Sequence, residues 1–149
     1  MKRTIMAIAA ATLLLGACSP TMTLYYWGGT QNGTTAYENL AYQDYKTKTP
    51  AAVCKLICVY QDIVTNPVGT RKMPPPGICA EYGYLLLQPG IAETFVKNAS
   101  FSQKRLFGKT NDYETMFAEL GLEMLNKEME YYPESEAFIA PLIKRLVRK

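Results

Sequence analysis

Carboxylates are the side chains best able to do acid–base chemistry in this 149-residue sequence, because it contains no histidine. Without an imidazole, Ser-His-Asp and Cys-His catalysis are excluded in their usual forms, and histidine metal sites are excluded too. Two carboxylates alone suffice to cleave a glycosidic bond. Glu81 with Glu119 or Glu123 is the least implausible pair for such chemistry. No recognisable catalytic motif surrounds these residues, so a cell-wall enzyme is the alternative interpretation and not the first.

Cysteines offer a second kind of chemistry. Cys54 and Cys58 are spaced i, i+4, so on one helix their Cβ atoms lie about 5–6 Å apart, farther than the roughly 3.8 Å of a disulfide. A bond to Cys79, from either Cys58 or Cys54, is geometrically easier. The other interpretation is that all three are small buried apolar side chains. Because the spacing is not C-x-x-C, a redox role is not indicated.

The fourth cysteine, Cys18, follows a positively charged start and an apolar run over residues 5–15, which is too short to span a membrane. The run ends in Leu15-Gly16-Ala17-Cys18, which resembles the lipobox of a bacterial lipoprotein signal. Residues 1–17 are therefore predicted to be a cleaved signal peptide and Cys18 to be acylated, which would hold the chain on a membrane. A plain secretory signal with a chance cysteine is the alternative. By resemblance to lipoprotein sorting, Ser19 indicates the outer membrane, with the protein facing the periplasm.

Composition limits what the rest of the chain does. About 130 residues remain after the signal, which is one domain. The sequence has 16 basic and 13 acidic residues, and removal of Lys2 and Arg3 leaves a side-chain charge of about +1. So small a charge makes nucleic acid an unlikely partner. We see no cofactor motif, no metal-ligand set and no sign of a small-molecule substrate, so the expected partners are the membrane and other envelope proteins.

Residues 18–33 are predicted to be a lipidated tether followed by an aromatic strap. The tether, Ser19 to Thr23, reaches at most about 17 Å when extended. The strap, residues 24–29, contains Trp27, the only tryptophan. Aromatic rings of this kind either pack onto the domain or lie in a membrane interface.

Residues 34–149 are predicted to be a helical domain. Its helix starts are marked by a Thr35-x-x-Glu38 capping box, by Thr49-Pro50 and by Asp112. Residues 91–110 form a basic piece predicted to be two short helical turns closed by Gly108. A long helix over residues 113–132 and a last helix after Pro133 follow. The predicted apolar stripe of the last helix is Phe138, Ile139, Leu142, Ile143 and Leu146.

The segment after Pro74-Pro75-Pro76-Gly77 is the predicted centre of the domain. Its apolar residues fall at helical spacing, and Pro89-Gly90 ends it. Gly83 lies inside this helix, where glycine costs about 0.5–1 kcal/mol relative to alanine. We therefore expect Gly83 to mark a close approach of a second helix. Away from the stripe, Glu81, Tyr84 and Gln88 are the candidate partner surface.

Three stretches of the sequence are similar to the bacterial lipoprotein family called domain of unknown function 4810. They are Tyr26-Trp27-Gly28, the run from Pro75 to Gln88, and Glu128 to Ser135 ahead of Leu142-Ile143-Lys144. Gly83 and the proline that follows a later helix also resemble a tetratricopeptide-type hairpin, with residues 91–110 as an insertion, since that repeat is only about 34 residues long. The resemblance implies an outer-membrane lipoprotein, often encoded beside a lipoprotein similar to the curli secretion channel.

The sequence therefore predicts an all-α fold of antiparallel, tetratricopeptide-like helical hairpins. The predicted function is that of a membrane-anchored, non-catalytic adaptor or assembly factor in an envelope complex. A structural lipoprotein that only spaces or plugs a larger assembly would have the same sequence features.

Overall fold

This computed structural model describes residues 22–147, apart from the side chains of residues 31, 45 and 147. Seven α-helices form most of this part of the chain. The predicted all-α fold is confirmed. The predicted signal peptide and Cys18 lie outside the described residues. A short 3₁₀ turn, Pro133–Ser135, joins the last two helices. The helices are α1 (Ala36–Thr47), α2 (Pro50–Thr65), α3 (Ile78–Leu86), α4 (Ile91–Asn98), α5 (Phe101–Arg105), α6 (Tyr113–Tyr131) and α7 (Glu136–Val147).

Local side-chain chemistry sets the helix starts. Thr35 and Glu38 form the predicted capping box, and the amide and hydroxyl of Thr35 hold the pKa of the Glu38 carboxyl below its usual value. Thr49 caps α2, with Pro50 in the first turn where its missing N–H costs nothing. Asp112 caps α6 by accepting a hydrogen bond from a backbone N–H. All three predicted starts are confirmed.

A small hairpin precedes α1. Strand β1 (Thr30–Gln31) pairs antiparallel with β2 (Thr34–Thr35). The two turn residues, Asn32 and Gly33, have φ angles of 54° and 83°, and an Asn-Gly turn of this kind fits the twist of a two-residue hairpin. The prediction of a lipidated tether and an aromatic strap over residues 18–33 did not include this hairpin.

The aromatic strap packs onto the helices. The hydroxyl of Tyr26 donates to the Asp62 carboxylate at 2.7 Å, and this hydrogen bond, with burial, raises the pKa of Tyr26 to about 12. Trp27 and Tyr26 both pack against the core. Beneath the strap lies Gly69, where an added Cβ would be 2.7 Å from the carbonyl oxygen of Leu24. Of the two interpretations of the strap, the structure has the one in which it covers the helical domain.

The closest helix contact is between α3 and α6, and it has glycine on both sides. A Cβ on Gly83 would lie 2.6 Å from the carbonyl oxygen of Gly121 and 3.1 Å from the backbone nitrogen of Leu125. In return, a Cβ on Gly121 would lie 3.0 Å from the carbonyl oxygen of Gly83. These helices also share the most extensive contact in the described chain. The structure therefore confirms the close approach expected at Gly83 and identifies its partner.

The start of α3 is capped from a distance. Gly77, the N-cap residue, has no side chain to cap with, and its backbone N–H donates to Glu128 of α6 at 2.7 Å. The other oxygen of Glu128 accepts from the N–H of Ala80 at 3.3 Å. Nearby, the hydroxyl of Tyr132 donates to the carbonyl oxygen of Pro74 at 2.6 Å. Glu128 is only 3 % exposed, and it satisfies helix N–H groups that would otherwise be buried without partners.

The hydrophobic core lies between α2, α3, α4 and α6. Of the apolar residues that fall at helical spacing in the central segment, Ile78, Tyr82 and Leu86 are buried and Leu85 is half-buried. The last helix differs from the prediction. Of its predicted stripe, Ile139 is buried, whereas Phe138 is 78 % exposed, because α7 contacts the domain through one narrow face. The largest fully buried side chains are Tyr82, Phe95, Phe117, Ile57, Ile63, Ile78, Met124 and Leu125.

Candidate binding surfaces

Glu81 is the centre of a polar cluster between α1, α2 and α3. One of its carboxylate oxygens accepts hydrogen bonds from the hydroxyls of both Tyr37 and Tyr60, each at 2.7 Å. Burial, together with this hydrogen bond, raises the pKa of Tyr37 to about 12. Burial and the Glu81 charge likewise raise the pKa of Tyr60. Both hydroxyls therefore stay protonated at neutral pH and continue to donate to Glu81.

A row of aromatic rings runs through the same cluster. Trp27 lies 5.4 Å from Tyr37, Tyr37 lies 5.9 Å from Tyr60, and Tyr60 stacks on Tyr82 at 5.5 Å, measured between ring centroids. The row ends where the hydroxyl of Tyr82 donates to the side-chain carbonyl of Gln61 at 2.8 Å. Such ring pairs contribute about 0.5–1.5 kcal/mol each beyond the area they bury. The arrangement ties the strap and α1 to α2 and α3, so Glu81 has a structural role.

The structure places the other two candidate catalytic carboxylates elsewhere. Glu119 and Glu123 line a cavity of about 320 Å³ with residues that include Gln61 and Phe107, and Glu81 is not part of this lining. Glu123 also forms an ion pair with Lys127 at 2.7 Å. Glu81 is held by two tyrosine hydroxyls instead of facing a second carboxylate across a cleft. The geometry therefore gives the predicted carboxylate pairs no support.

The three residues of the predicted partner surface on α3 have different surroundings in the structure. Glu81 accepts hydrogen bonds from residues of α1 and α2, whereas Tyr84 is 47 % exposed. The side-chain amide of Gln88 donates to the carbonyl oxygen of Tyr84 at 3.2 Å, one turn back along the helix. Of the three candidate residues, Tyr84 is the one that exposes an aromatic side chain.

The three described cysteines are free thiols. Cys54 lies against α4, with its sulfur 3.9 Å from the carbonyl oxygen of Thr94. Cys79 lies on the side of α3 that faces α6, where burial and the charge of Glu128 raise its pKa to about 12. Burial likewise raises the pKa of Cys58 to about 11. The structure thus has neither the Cys58–Cys79 nor the Cys54–Cys79 bond. Cys54 and Cys79 are buried, as the interpretation of small buried apolar side chains requires, whereas Cys58 is half-buried.

An open apolar face on α7 was not expected from the sequence. Phe138 is 78 % exposed, and Leu142, Ile143 and Leu146 are only half-buried. Within the described chain α7 makes extensive contacts only with α6 and with the 3₁₀ turn. An amphipathic helix that leaves an apolar stripe partly in water is typical of a surface that binds another helix.

A second exposed surface, which we name the basic tip, consists of Val96, Phe101, Lys104, Arg105 and Lys109. These residues line an open cavity of about 720 Å³ between α4, α5 and the start of α6. The ammonium of Lys104 donates to the carbonyl oxygen of Val96 at 2.7 Å, which fixes this cation at the cavity edge. Phe101 is as exposed as Phe138, at 78 %. The positive charge of this segment was expected from the sequence, whereas its exposed apolar side chains were not.

The described residues form neither a metal site nor a membrane-spanning helix. No three of their cysteine, aspartate and glutamate side chains come close enough together to hold a metal ion. None of the described helices combines the length and the hydropathy needed to cross a membrane.

Comparison with known proteins gives no relative. A scan against protein-family models, a search of curated proteins and a search of solved structures each found no match to this chain. The similarity to the family called domain of unknown function 4810, and the tetratricopeptide-like character of the hairpins, therefore stay predictions from the sequence.

Proposed function

We propose that this chain is a lipid-anchored bacterial envelope protein that acts as a non-catalytic adaptor or assembly factor. Its anchor is Cys18, acylated after removal of residues 1–17, and its place is the periplasmic face of the outer membrane. Its partner is another envelope protein, with a lipoprotein similar to the curli secretion channel as the first candidate. The lipobox-like sequence Leu15-Gly16-Ala17-Cys18 supports the anchor.

The observation that carries the adaptor proposal is the open apolar face of α7. Phe138 lies on this face with most of its ring in water. Burying such a side chain in an interface contributes about 1.5–3 kcal/mol. Further along the same helix, Lys144 and Arg145 are exposed in the last turn, which favours a partner helix with acidic residues beside an apolar stripe.

The environment of Glu81 supports a non-catalytic role. A catalytic carboxylate must face the substrate, with space for it and a second acid–base group nearby. Glu81 instead receives two tyrosine hydroxyls that belong to neighbouring helices. Release of muropeptides from purified cell wall, lost in a Glu81→Gln variant, would overturn this part of the proposal.

The adaptor is tested by placing a photo-cross-linking phenylalanine analogue at position 138 in cells. We expect one discrete cross-linked product, identified by mass spectrometry as an exported lipoprotein. The matched control carries the analogue at position 101, which has the same exposed fraction but lies on the basic tip. Absence of a discrete product from position 138, or an identical product from both positions, would contradict the proposed role of α7.

The anchor is tested separately on the purified chain. We expect mass spectrometry to find Cys18 as the first residue, carrying acyl groups, and the protein to remain with membranes after washing in high salt. A chain that still contains residues 1–17, or one whose Cys18 is unmodified, would contradict the anchor.

A further inference from the structure

We propose that the basic tip is a second membrane contact, which binds the anionic phospholipid headgroups of the bilayer that holds the acyl anchor. This inference rests on the proposed function, because it takes Cys18 as the anchored residue. It adds a defined orientation: the domain lies against the bilayer through residues 96–109 and does not swing freely on its tether.

Charge is the first argument. Three cations, Lys104, Arg105 and Lys109, line the cavity of the basic tip, and no carboxylate lines it. The sequence between Glu93 and Asp112 contains no acidic residue at all. Within the described chain, neither Arg105 nor Lys109 forms an ion pair. Phosphate groups of a lipid surface would complement this charge.

Exposed apolar side chains beside these cations are the second argument. Phe101 is 78 % exposed, Leu106 53 % and Val96 44 %. The short helix α5 has no buried residue, so its side chains are not needed for the core. Apolar side chains next to Lys and Arg are the pattern of protein segments that sit at the boundary between headgroups and acyl chains.

The position of the tether sets the orientation of the domain. The residues between Cys18 and the strap reach at most about 17 Å, so the strap must lie close to the bilayer. Tyr25 of the strap lies against Tyr132 at the end of α6, whereas the cavity of the basic tip is lined by Tyr113 at the start of this helix. A helix of 19 residues is about 28 Å long. A bilayer that contacts both regions therefore runs along the side of the domain, parallel to α6.

The loop that meets the strap supports the same orientation. The N–H of Arg71 donates to the carbonyl oxygen of Leu24 at 3.1 Å, which places exposed Arg71 and Lys72 beside the tether. Three exposed apolar residues occur in the same region, one each in the tether, the strap and this loop: Met22, Leu24 and Val68. The tether and the tip thus both combine positive charge with apolar side chains. An acidic protein partner would explain the charge of the tip but not the shared character of these two regions.

The test measures whether the tip enters the bilayer. The acylated full-length protein, carrying Phe101→Trp, is placed in vesicles of zwitterionic lipid or of zwitterionic lipid mixed with phosphatidylglycerol, each containing brominated acyl chains. We expect strong quenching of the new tryptophan in the anionic vesicles, little in the zwitterionic ones, and loss of quenching in high salt. Wild-type protein supplies the background from Trp27.

Three further variants make the result specific. Phe138→Trp introduces an equally exposed tryptophan on α7, and we expect it to stay unquenched. In a Phe101→Trp background, changing Lys104, Arg105 and Lys109 to Gln should abolish quenching. Each cation near an anionic surface changes the ratio of docked to undocked domain by about fivefold. The same change at the exposed cations Lys46, Lys48 and Lys55 should leave quenching intact.

The outcomes separate this proposal from the anchor itself. Three results would overturn the basic tip as a lipid contact, even in protein held firmly by its acyl chains. The tryptophan at position 101 is not quenched, it is quenched only as much as the tryptophan at position 138, or it is quenched equally in zwitterionic and anionic vesicles. Loss of a cross-linked protein partner on changing the tip cations, with quenching unaffected, would overturn it in favour of a protein interface. If Cys18 proves to be unmodified, salt-sensitive quenching by added anionic vesicles would still support the tip.

Discussion

Replacing Gly83 with alanine is the sharpest test of how α3 and α6 pack. The new Cβ would lie 2.6 Å from the carbonyl oxygen of Gly121, so the helices must separate by about 0.8 Å to restore an ordinary contact of 3.4 Å. Two of the three nearest atoms belong to the backbone, which cannot rotate away as a side chain can. The substitution therefore acts on the helix spacing itself.

The magnitude follows from two opposing effects. Alanine is a better helix residue than glycine by about 0.5–1 kcal/mol. Overpacking a well-packed core costs about 1–3 kcal/mol, and more where backbone must move. We expect a net loss of about 2 kcal/mol in the free energy of unfolding, which lowers the thermal midpoint by about 6–10 °C for a domain of this size. Thermal and urea unfolding, followed by circular dichroism, measure both quantities.

Two other glycines provide graded controls. At Gly121 the nearest atom to an added Cβ is Cγ of Leu87, at 2.7 Å, and a half-buried side chain can rearrange, so Gly121→Ala should cost less than Gly83→Ala. Gly108 has a φ of +75° and no atom within 4 Å of an added Cβ, so its substitution should cost only the left-handed penalty of about 1 kcal/mol. A Gly83→Ala protein as stable as the wild type would refute the close packing of α3 on α6.

Three further substitutions test other parts of the structure. Gly69→Ala places a Cβ 2.7 Å from a strap carbonyl oxygen, so the strap should lift, and limited proteolysis should cut the adjoining loop sooner than in the wild type. Glu128→Gln replaces one of two accepting oxygens with an NH₂ group, which should cost about 1–3 kcal/mol in urea unfolding, whereas Glu130→Gln on the exposed side should change stability by less than about 0.5 kcal/mol. The pKa of Cys79 is raised from an ordinary value of 9.0 to about 12, so between these two pH values the folded protein keeps the thiol proton and the unfolded chain loses it. Its contribution is complete below pH 9 and is lost as the pH rises toward 12. From pH 8 to pH 10 the wild type should therefore lose about 1.4 kcal/mol more than Cys79→Ala, and an equal loss in both proteins would contradict the burial of this thiol.

Local signals made much of the fold predictable. Thr35 with Glu38, Thr49 with Pro50, and Asp112 each act within one turn of the chain, so the sequence contains the whole cause of those helix starts. A glycine inside an apolar helical stripe was also informative, because it lowers the stability of the helix and this loss must be offset by tertiary packing. The hairpin resemblance pointed to the long helix as the partner of Gly83, but the residue on it that faces Gly83, Gly121, was not predicted.

Contacts between distant residues could not be predicted in this way. Glu128 is one of eight acids in residues 112–136, and nothing local distinguishes the buried one from those on the surface. Glu81 looked like a free surface group, yet its two tyrosine partners lie 44 and 21 residues away in the sequence. Helical spacing placed Phe138 on an apolar face, but it does not say whether another element covers that face.

The core and the two exposed apolar surfaces lie on different elements, which has a consequence for function. Helix α3 has nine residues, a glycine inside it and no N-cap side chain of its own, so it is too short to be stable alone and depends on Gly121 and Glu128 of α6. Helix α5 has no buried residue, and Ile139 is the only buried side chain in the described part of α7. Substitutions on α5 and on the open face of α7 should therefore change binding with little effect on folding. Because elements that contribute little to the core are also those most free to move, the basic tip and α7 can each adjust to a binding partner while the α3–α6 pair holds the domain together.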